Sequence, residues 1–196
     1  MWLREVERRL ASRPTRRLAD AEGLTPAAVL VPLFVSGGSL WLLLIRRSGA
    51  VSQHAGQISF PGGVRHDDDE DEVATALRET GEELGVDPAC VVVLGRLDEQ
   101  RTSTGFLVSP VVGALPYPLE LKPAWTEVDS VLRVPLHALA RARLVEGQEV
   151  GGQQGSEPIF HHGPHRIWGA TARIVEQLVA RLSGSEPEGA PPRRSP

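Results

Sequence analysis

The stretch FPGGVRHDDDEDEVATALRETGEELGV, residues 60–86, decides the fold, because a glycine-containing loop leads there into a strongly acidic helix. Taken at 100° per residue, the apolar positions between about Asp71 and Leu84 predict a helix whose core-facing stripe consists of Val73, Leu77, Thr80 and Leu84. The carboxylates on nearly the opposite side belong to Glu79, Glu82 and Glu83. Like charges at this spacing repel by about 0.2–0.5 kcal/mol per pair, so their placement needs a reason.

Two interpretations of the acidic triplet stay open on the residues alone. In the first, the carboxylates form a solvated helix face, as most such triplets do. In the second, they hold a hard divalent cation such as Mg²⁺, which prefers oxygen ligands and turns the repulsion into attraction. The acidic run from His66 to Glu72 is interpreted as a solvated loop, with Asp69 or Asp71 capping the helix.

The context of the triplet resembles the signature of the Nudix hydrolase superfamily over about residues 63–86. The matching positions are Glu70, Arg78, Glu79, Glu82, Glu83, Gly85 and Val86. Two positions depart from the signature. The loop between Gly63 and Glu70 holds one residue more than usual, and Thr80 replaces an aliphatic residue. A loop that is longer by one residue costs little closure entropy.

This resemblance implies an α/β fold of the α+β kind, an α/β/α sandwich with a mixed β-sheet and a loop-helix-loop catalytic motif. It also implies an enzyme, a diphosphatase that hydrolyses a nucleoside diphosphate linked to another moiety. In that enzyme Glu79, Glu82 and Glu83 would hold Mg²⁺ or Mn²⁺, and Arg78 would pair with these carboxylates and orient them. Glu70 would be an additional ligand or would support the others.

The preceding stretch LLLIRRSGAVSQHAGQISFPGG, residues 42–63, resembles the extra signature of the coenzyme A pyrophosphatase branch of that superfamily. The matching positions are Arg47, Ser48, Gly56, Phe60, Pro61, Gly62 and Gly63. Together the two resemblances cover the chain from Ala27 to about Leu182. They imply cleavage of coenzyme A or a derivative to 3′-phosphoadenosine 5′-phosphate and a 4′-phosphopantetheine compound.

One basic position of that branch is changed, because Ser52 stands where its second arginine is expected. Coenzyme A carries a 3′-phosphate, for which an arginine fork is the natural partner, so the change puts affinity or substrate choice in doubt. Two alternatives therefore stay open. One is a Nudix hydrolase of ADP-ribose, NADH or nucleoside triphosphates. The other is a Nudix domain that binds nucleotides or a protein partner without catalysis. Loss of the metal-binding carboxylates would indicate such a domain, and this chain retains all three.

The candidates for substrate binding lie in and before the glycine loop, and they are Arg46, Arg47, His54, Gln57, Gly62 and Gly63. Arg46, Arg47 or His54 could replace the missing basic residue. Alternatively, the two arginines lie at a solvated strand end and His54 forms a hydrogen bond within the loop. Gln57 would orient a ligand or cap the loop backbone. The two glycines permit positive φ and a close approach of the backbone to the metal or the phosphates.

Further along the chain, Glu127 is a candidate for an extra metal ligand or general base, with an exposed residue at a strand start as the alternative. The histidines of HHGPH, residues 161–165, lack the partners of a zinc site and are interpreted as loop residues. Trp168 would pack the last helix or stack on adenine.

Composition limits the partners and the compartment. A net charge of −4 gives no reason to expect nucleic acid or an anionic membrane, so the expected partner is a small-molecule substrate, and a homodimer is compatible with the sequence. Cys90 is the only cysteine, which excludes an internal disulfide. Without a signal peptide or an apolar run of membrane-spanning length, the expected location is the cytoplasm.

The pattern along the chain predicts one domain over residues 1–182 and a disordered tail over 183–196. Apolar spacing predicts a short first helix and a final amphipathic helix with Ile174, Leu178 and Leu182 on one face. Strands are predicted at about 27–35, 40–47, 90–98, 106–115 and 157–162, and a short helix in VPLHALARA. Residues 48–65 are predicted to be loop.

Overall fold

The computed structural model describes residues 2–49, 56–141, 143–150 and 153–184 of the 196-residue chain. The helices are α1 (Trp2–Leu10), α2 (Glu72–Leu84), α3 (Leu136–Arg141) and α4 (Gly169–Ser183), with a 3₁₀ turn at Pro88–Cys90. The strands are β1 (Thr25–Ser36), β2 (Ser39–Arg47), β3 (Ile58–Ser59), β4 (Gly62–Val64), β5 (Val92–Arg96), β6 (Gln100–Arg101), β7 (Phe106–Ala114), β8 (Val128–Pro135), β9 (Arg143–Val150), β10 (Gln153–His162) and β11 (His165–Ile167).

Two long apolar strands form the centre of a mixed eight-stranded sheet with the order β3-β2-β1-β7-β5. The predicted hairpin joins β1 to β2 at Gly37 and Gly38, whose positive φ angles of 57° and 74° suit a tight two-residue turn. β1 also runs parallel to β7, from Thr25↔Phe106 to Leu33↔Ala114. Of the remaining strands, β4 pairs with β1, β6 with β7 and β8 with β2, while β9, β10 and β11 form a second sheet.

Helices cover both faces of the large sheet. Alternate residues of β1 point to opposite faces, so the residues that they pack against show which helix lies on each face. Ala28 and Leu30 are buried on one face together with Ala76 of α2. Val31 and Leu33 are buried on the other face among residues of α1 and α4. The predicted layered α/β fold with a mixed sheet is therefore confirmed.

The acidic helix α2 begins and ends at residues that suit those positions. Asp71, one of the two predicted caps, accepts hydrogen bonds from the backbone N–H groups of Val73 and Ala74, each at 2.9 Å. Gly85 ends the helix in the left-handed conformation with φ 67°, and its N–H donates to the carbonyl of Gly81 at 2.8 Å. Asp69, the other candidate cap, is buried ahead of the helix and holds an arginine instead.

The stretch 48–65 is not entirely loop, since it contains β3 and β4. The β4 strand pairs Gly62 with Val29 and Gly63 with Ala28, so the glycine pair is fixed on the central strand β1. Strands β6, β9 and β11 are also absent from the prediction, and β8 is indicated only by the strand start considered at Glu127. The two residues of β6 and the polar sequence RLVEGQEV of β9 carry no strong apolar alternation.

Arginines join the first and last helices of the described chain. Arg181 of α4 donates from Nη1 to the carbonyls of Leu10 and Arg13, at 2.7 and 2.8 Å, and from Nη2 to Asp98 Oδ1 at 3.1 Å. Arg13 donates to the other oxygen of Asp98 at 2.8 Å. In return, Arg9 donates to the carbonyl of Leu182 at 2.6 Å. The N-terminal segment is thus packed against α4 by buried and partly buried polar contacts.

The final helix runs to Ser183 and is capped by Gly184, so it extends past the predicted domain end at 182. Residues 185–196, where the sequence predicts a disordered tail, lie outside the described residues. Among the helices of the described ranges, none has the length and apolar character needed to cross a membrane.

Candidate active site

The carboxylate of Glu83 is buried, with only 2% of the residue exposed. The helical pattern placed it with Glu79 and Glu82 away from the core, and for Glu83 this interpretation is wrong. The neighbouring β4 strand covers it, since Gly62 N–H donates to Glu83 Oε2 at 2.9 Å. Arg47 Nη1 lies 3.7 Å from Glu83 Oε1. The face of α2 that carries Glu83 is therefore covered by β4 and by the end of β2, both of which precede the helix in the chain.

The surroundings of Glu83 make its negative charge costly. Burial is the main cause that raises the pKa of Glu83 to about 7. The hydrogen bond from Gly62 and the charge of Arg47 act in the opposite direction and lower this pKa. The negative charges of Glu79 and Glu127 raise it by smaller contributions.

The side chain of Glu79 lies directly against Gly63. A Cβ atom at Gly63 would come within 2.5 Å of Glu79 Oε1 and 2.6 Å of Glu79 Oε2. Only a glycine therefore leaves room for this carboxylate beside the backbone of β4. Gly62 has φ 153°, and a Cβ there would lie 2.3 Å from the carbonyl oxygen of Ala28. The glycine pair thus serves two different close contacts, one with the sheet and one with the acidic helix.

Arg78 joins the acidic helix to the loop before it. Its guanidinium makes a two-pronged contact with Asp69, from Nε to Oδ1 and from Nη2 to Oδ2, each at 3.0 Å. It also donates to Glu79 Oε1 at 2.9 Å and to Glu82 Oε2 at 3.2 Å. The Arg78 guanidinium holds the pKa of Asp69 well below its usual range, and Asp69 in turn raises the pKa of Arg78.

Asp69 is a residue of this region that the sequence interpretation assigned only as a possible cap. The signature alignment backwards from Arg78 selected Glu70, which is exposed in the structure and whose carbonyl accepts a hydrogen bond from Arg65 at 3.0 Å. Counted forwards from Gly63 with the usual five intervening residues, the acidic position falls on Asp69. Counting in this direction would therefore have identified Asp69, and it places the additional residue between Asp69 and Arg78.

Within the described ranges, no three histidine, cysteine or acidic side chains converge in a geometry that would hold an ion. Glu79 and Glu82 both turn towards the guanidinium of Arg78, and Glu82 is largely exposed. The chemistry of the donors nevertheless fits a hard cation, since carboxylate oxygens are the ligands that such ions prefer. Glu79 and Glu127 both lie near enough for their charges to affect Glu83.

The arginines of the candidate substrate site end the strand β2. The backbone N–H of Arg47 donates to the carbonyl of Gln57 at 3.0 Å, which fixes the strand end against the residue before β3. The Nε atom of Arg47 is buried without a hydrogen-bond partner among the described residues. Arg46 is more exposed and lies 3.3 Å from Asp129 Oδ2. Arg47 is therefore the arginine that faces the buried carboxylate.

A turn before β8 closes the far end of α2. The N–H groups of Lys122 and Ala124 donate to the last carbonyls of the helix, those of Leu84 and Glu83, at 2.8 and 2.9 Å. The carbonyl of Glu127 accepts from Ser48 N–H at 2.8 Å, next to Arg47. Glu127 is exposed, but its negative charge contributes to the raised pKa of Glu83. The turn therefore adds a fourth glutamate, besides those of α2, at the edge of the site.

Two of the predicted positions, His54 and the replaced Ser52, fall outside the described residues. The interpretation of His161, His162 and His165 as loop residues is wrong, because they are strand residues of the β10–β11 hairpin, where His162 pairs with His165. Trp168 precedes α4, which packs on the sheet face opposite α2.

Comparisons with known proteins agree with one another. A family model described as NUDIX domain matches residues 24–150. The uncharacterized Nudix hydrolase NudL of Photorhabdus laumondii is 39% identical over 171 residues, covering 86% of this chain and 90% of that protein. The mitochondrial coenzyme A diphosphatase NUDT8 of Mus musculus is 40% identical over 187 residues, covering 90% and 86%. The NUDIX domain of Shewanella oneidensis NrtR, solved with ADP ribose, shares the fold with a TM-score of 0.54 at 19% identity, covering 88% of this chain and 96% of that one.

Proposed function

The chain belongs to the Nudix hydrolase family, and from this membership we propose that it is a metal-dependent diphosphatase of coenzyme A. The proposed reaction is hydrolysis of the diphosphate bond of coenzyme A or a derivative. The products are 3′-phosphoadenosine 5′-phosphate and a 4′-phosphopantetheine compound. Nudix hydrolases generally use divalent metals, and the proposed ion is Mg²⁺ or Mn²⁺.

The observation that carries the proposal is the buried Glu83 carboxylate with its raised pKa of about 7. A buried carboxylate beside further carboxylates is stable in its charged form only with added positive charge. A divalent cation bound there would supply this charge, neutralise the diphosphate oxygens and lower the pKa of a bound water. Glu79 and Glu83 are the proposed main ligands, with Glu82 and Glu127 at the exposed side.

The other residues of the site would orient these ligands and the substrate. Arg78 contacts Asp69, Glu79 and Glu82, so its proposed role is to position the carboxylates. Arg47 has a buried Nε donor without a described partner, which suits an anionic oxygen of the diphosphate. The absence of a side chain at Gly63 lets the Glu79 carboxylate lie directly against β4, so the proposed role of this glycine is to position that ligand.

The choice of coenzyme A as substrate is supported by two features. The mouse relative named as a coenzyme A diphosphatase aligns with 90% of the chain. In addition, residues 42–63 match the upstream signature of that branch at Arg47, at Gly56 and in the Phe-Pro-Gly-Gly run.

A substrate panel tests the proposal. The purified protein would be incubated with coenzyme A, acetyl coenzyme A, NADH, ADP-ribose and nucleoside triphosphates, each with Mg²⁺, Mn²⁺ or EDTA. We expect ion-dependent cleavage of a coenzyme A compound at the highest kcat/KM, with products resolved by chromatography. Cleavage of the other compounds without any coenzyme A compound would reject the assignment.

Paired variants test whether the buried carboxylate is part of the reaction. Glu83→Gln removes one charge at nearly constant volume, and we expect it to lower kcat by about 100-fold or more. Glu7→Gln makes the same chemical change at an exposed position of α1, on the opposite side of the sheet, and should leave kcat unchanged. Equal turnover by the two variants would contradict the proposed role of Glu83.

A second candidate is a Nudix hydrolase of ADP-ribose, NADH or nucleoside triphosphates. The observation in its favour is Ser52, which removes an arginine expected for the 3′-phosphate of coenzyme A. The panel separates the two candidates when 3′-dephospho-coenzyme A is added to it. Comparable kcat/KM values for coenzyme A and for 3′-dephospho-coenzyme A would show that the 3′-phosphate is not recognised and would favour the second.

A further inference from the structure

Trp125 is the most exposed of the large apolar side chains in the described part of the chain, at 65%. An indole in a folded protein is usually mostly buried, because it is the side chain with the largest apolar surface. An indole that stays in solvent contributes little burial to the fold. Its surface is therefore available for another molecule.

The turn that carries Trp125 is held at several points. Inside the turn, the N–H groups of Glu127 and Val128 donate to the carbonyl of Ala124 at 2.8 and 2.9 Å. Outside it, Ala124 N–H donates to the carbonyl of Glu83, and Ser48 N–H donates to the carbonyl of Glu127. The backbone on both sides of Trp125 is thus fixed to α2 and to the end of β2. A turn whose backbone is already held in this way need not be ordered when the ring binds a ligand.

These contacts place Trp125 at the edge of the candidate active site. Ala124, its neighbour, is bonded to the backbone of the buried Glu83. Val128, three residues later, pairs with Arg47, and the register of β2 and β8 shifts there by one residue. Such a bulge redirects side chains and is common beside active sites. The backbone of the turn that carries Trp125 is therefore bonded to the carboxylate helix before this residue and lies next to the candidate phosphate arginine after it.

We propose that Trp125 is the platform on which the nucleobase of the substrate stacks. This inference rests on the proposed function, which brings a diphosphate to the carboxylates and to Arg47. The planar base of a nucleotide that is held there by its phosphates remains exposed to water unless the protein covers it. Among the side chains, an indole offers the largest flat surface on which a base can stack. Among the described residues the exposed indoles are Trp125 and Trp168, and only Trp125 lies in an element bonded to α2.

Binding of the two halves of coenzyme A tests the inference without any turnover. Adenosine 3′,5′-bisphosphate carries the base and 4′-phosphopantetheine does not. Their affinities for the wild-type protein, Trp125→Ala, Trp125→Phe and Trp168→Ala would be measured by calorimetry with Mg²⁺ present. Trp168 is the matched control, since its indole is also exposed, at 46%, but precedes a helix on the other face of the sheet.

We expect Trp125→Ala to weaken binding of adenosine 3′,5′-bisphosphate by about tenfold or more, the usual effect of removing one stacking side chain. Binding of 4′-phosphopantetheine should stay the same. Trp125→Phe should retain most of the affinity because it keeps an aromatic face, and Trp168→Ala should behave as the wild type does. In turnover, Trp125→Ala should raise KM for the nucleotide substrate and leave kcat within about threefold of the wild-type value.

Three results would overturn the inference: unchanged nucleotide affinity in Trp125→Ala, an equal loss for both halves, or a wild-type protein that binds neither half. The first result together with coenzyme A cleavage refutes the stacking role and leaves the proposed function intact. A wild-type protein that does not cleave coenzyme A, yet binds the bisphosphate through Trp125, refutes the substrate assignment and supports the stacking role.

Discussion

At the scale of single residues, the burial of Glu83 couples the stability of the ion-free protein to pH. Its pKa is raised from 4.5 to about 7 by burial, so the folded state binds a proton more tightly than the unfolded state does. The stability that this proton contributes is fully present below pH 4.5 and is lost as the pH rises through 7. We expect the wild-type protein in EDTA to lose about 3 kcal/mol of unfolding free energy between pH 4.5 and pH 8 from this group.

Urea unfolding of Glu83→Gln at the same two pH values checks that expectation. The variant should lack this loss and should be more stable than the wild type at pH 8 in EDTA. Glu82→Gln is the control, because Glu82 is largely exposed and its removal should leave the pH dependence in place. Equal slopes for the wild type and Glu83→Gln would show that Glu83 does not titrate in this range.

The glycine pair offers a second residue-scale prediction. Gly63→Ala should leave the unfolding midpoint nearly unchanged, because the new Cβ meets the movable end of Glu79. It should lower kcat/KM by about tenfold or more, since the displaced carboxylate is a proposed ligand. Gly62→Ala should instead destabilise the protein, because its Cβ meets the backbone of Ala28 and Val29. Thermal unfolding and steady-state kinetics of both variants separate the two effects.

The sequence identified the residue types of the site better than their surroundings. Helical spacing predicts that Glu79, Glu82 and Glu83 lie near one another, and the resemblance of their context to the Nudix signature makes them candidate metal ligands. The sequence could not show that Glu83 is buried, since the atoms that cover it come from β4 and from the end of β2, which are distant in sequence. The exposed indole of Trp125 was missed for the same reason, because exposure depends on packing around the turn.

At the scale of elements, the start of α2 depends on one side chain. Asp71 accepts two backbone hydrogen bonds at the helix start and also contacts Arg96 Nη2 at 2.8 Å. We expect Asp71→Ala to cost about 1 kcal/mol, or about 2–4 °C in the midpoint of thermal unfolding. Asp87→Ala removes a similar cap, but from a turn of only three residues, and should cost less. A larger effect for Asp87 would contradict the importance given to α2.

Long apolar elements were predictable and short ones were not. The patterns for β1, β2, β7, α2 and α4 give boundaries close to those observed, because each buries a continuous stripe. β3 and β4 span two and three residues and are defined by their partners rather than by their own sequence. β4 nevertheless shapes the candidate site, since it fixes Gly62 and Gly63 against the acidic helix.

At the scale of the whole molecule, Asp98 joins three segments. Burial alone would raise its pKa, but the N–H of Arg16 and the guanidinium groups of Arg13 and Arg181 hold that pKa below its usual value. Asp98 therefore stabilises the fold above pH 3.8, and this contribution is lost as the pH falls through the lowered value. We expect Asp98→Asn to cost about 3–5 kcal/mol at pH 7, because Arg181 would be left buried without a carboxylate.

Chemical denaturation at pH 7 measures that cost. Glu5→Gln is the control, because Glu5 forms exposed ion pairs with Arg8 and Arg9 on the surface of α1 and should have little effect. If the two substitutions had the same effect, the buried cluster would not be the contact that holds the N-terminal segment in place.

The arginine contacts between α1 and α4 have a consequence for how the protein opens. Arg181 depends on the carbonyls of Leu10 and Arg13, and Arg9 reaches the carbonyl of Leu182. Detachment of either helix therefore breaks hydrogen bonds to which both helices contribute, including the buried bond from Arg181 to Leu10. The backbone amides of the two helices should therefore exchange with deuterium at matching rates, as one cooperative unit, although more than 150 residues separate them in the chain.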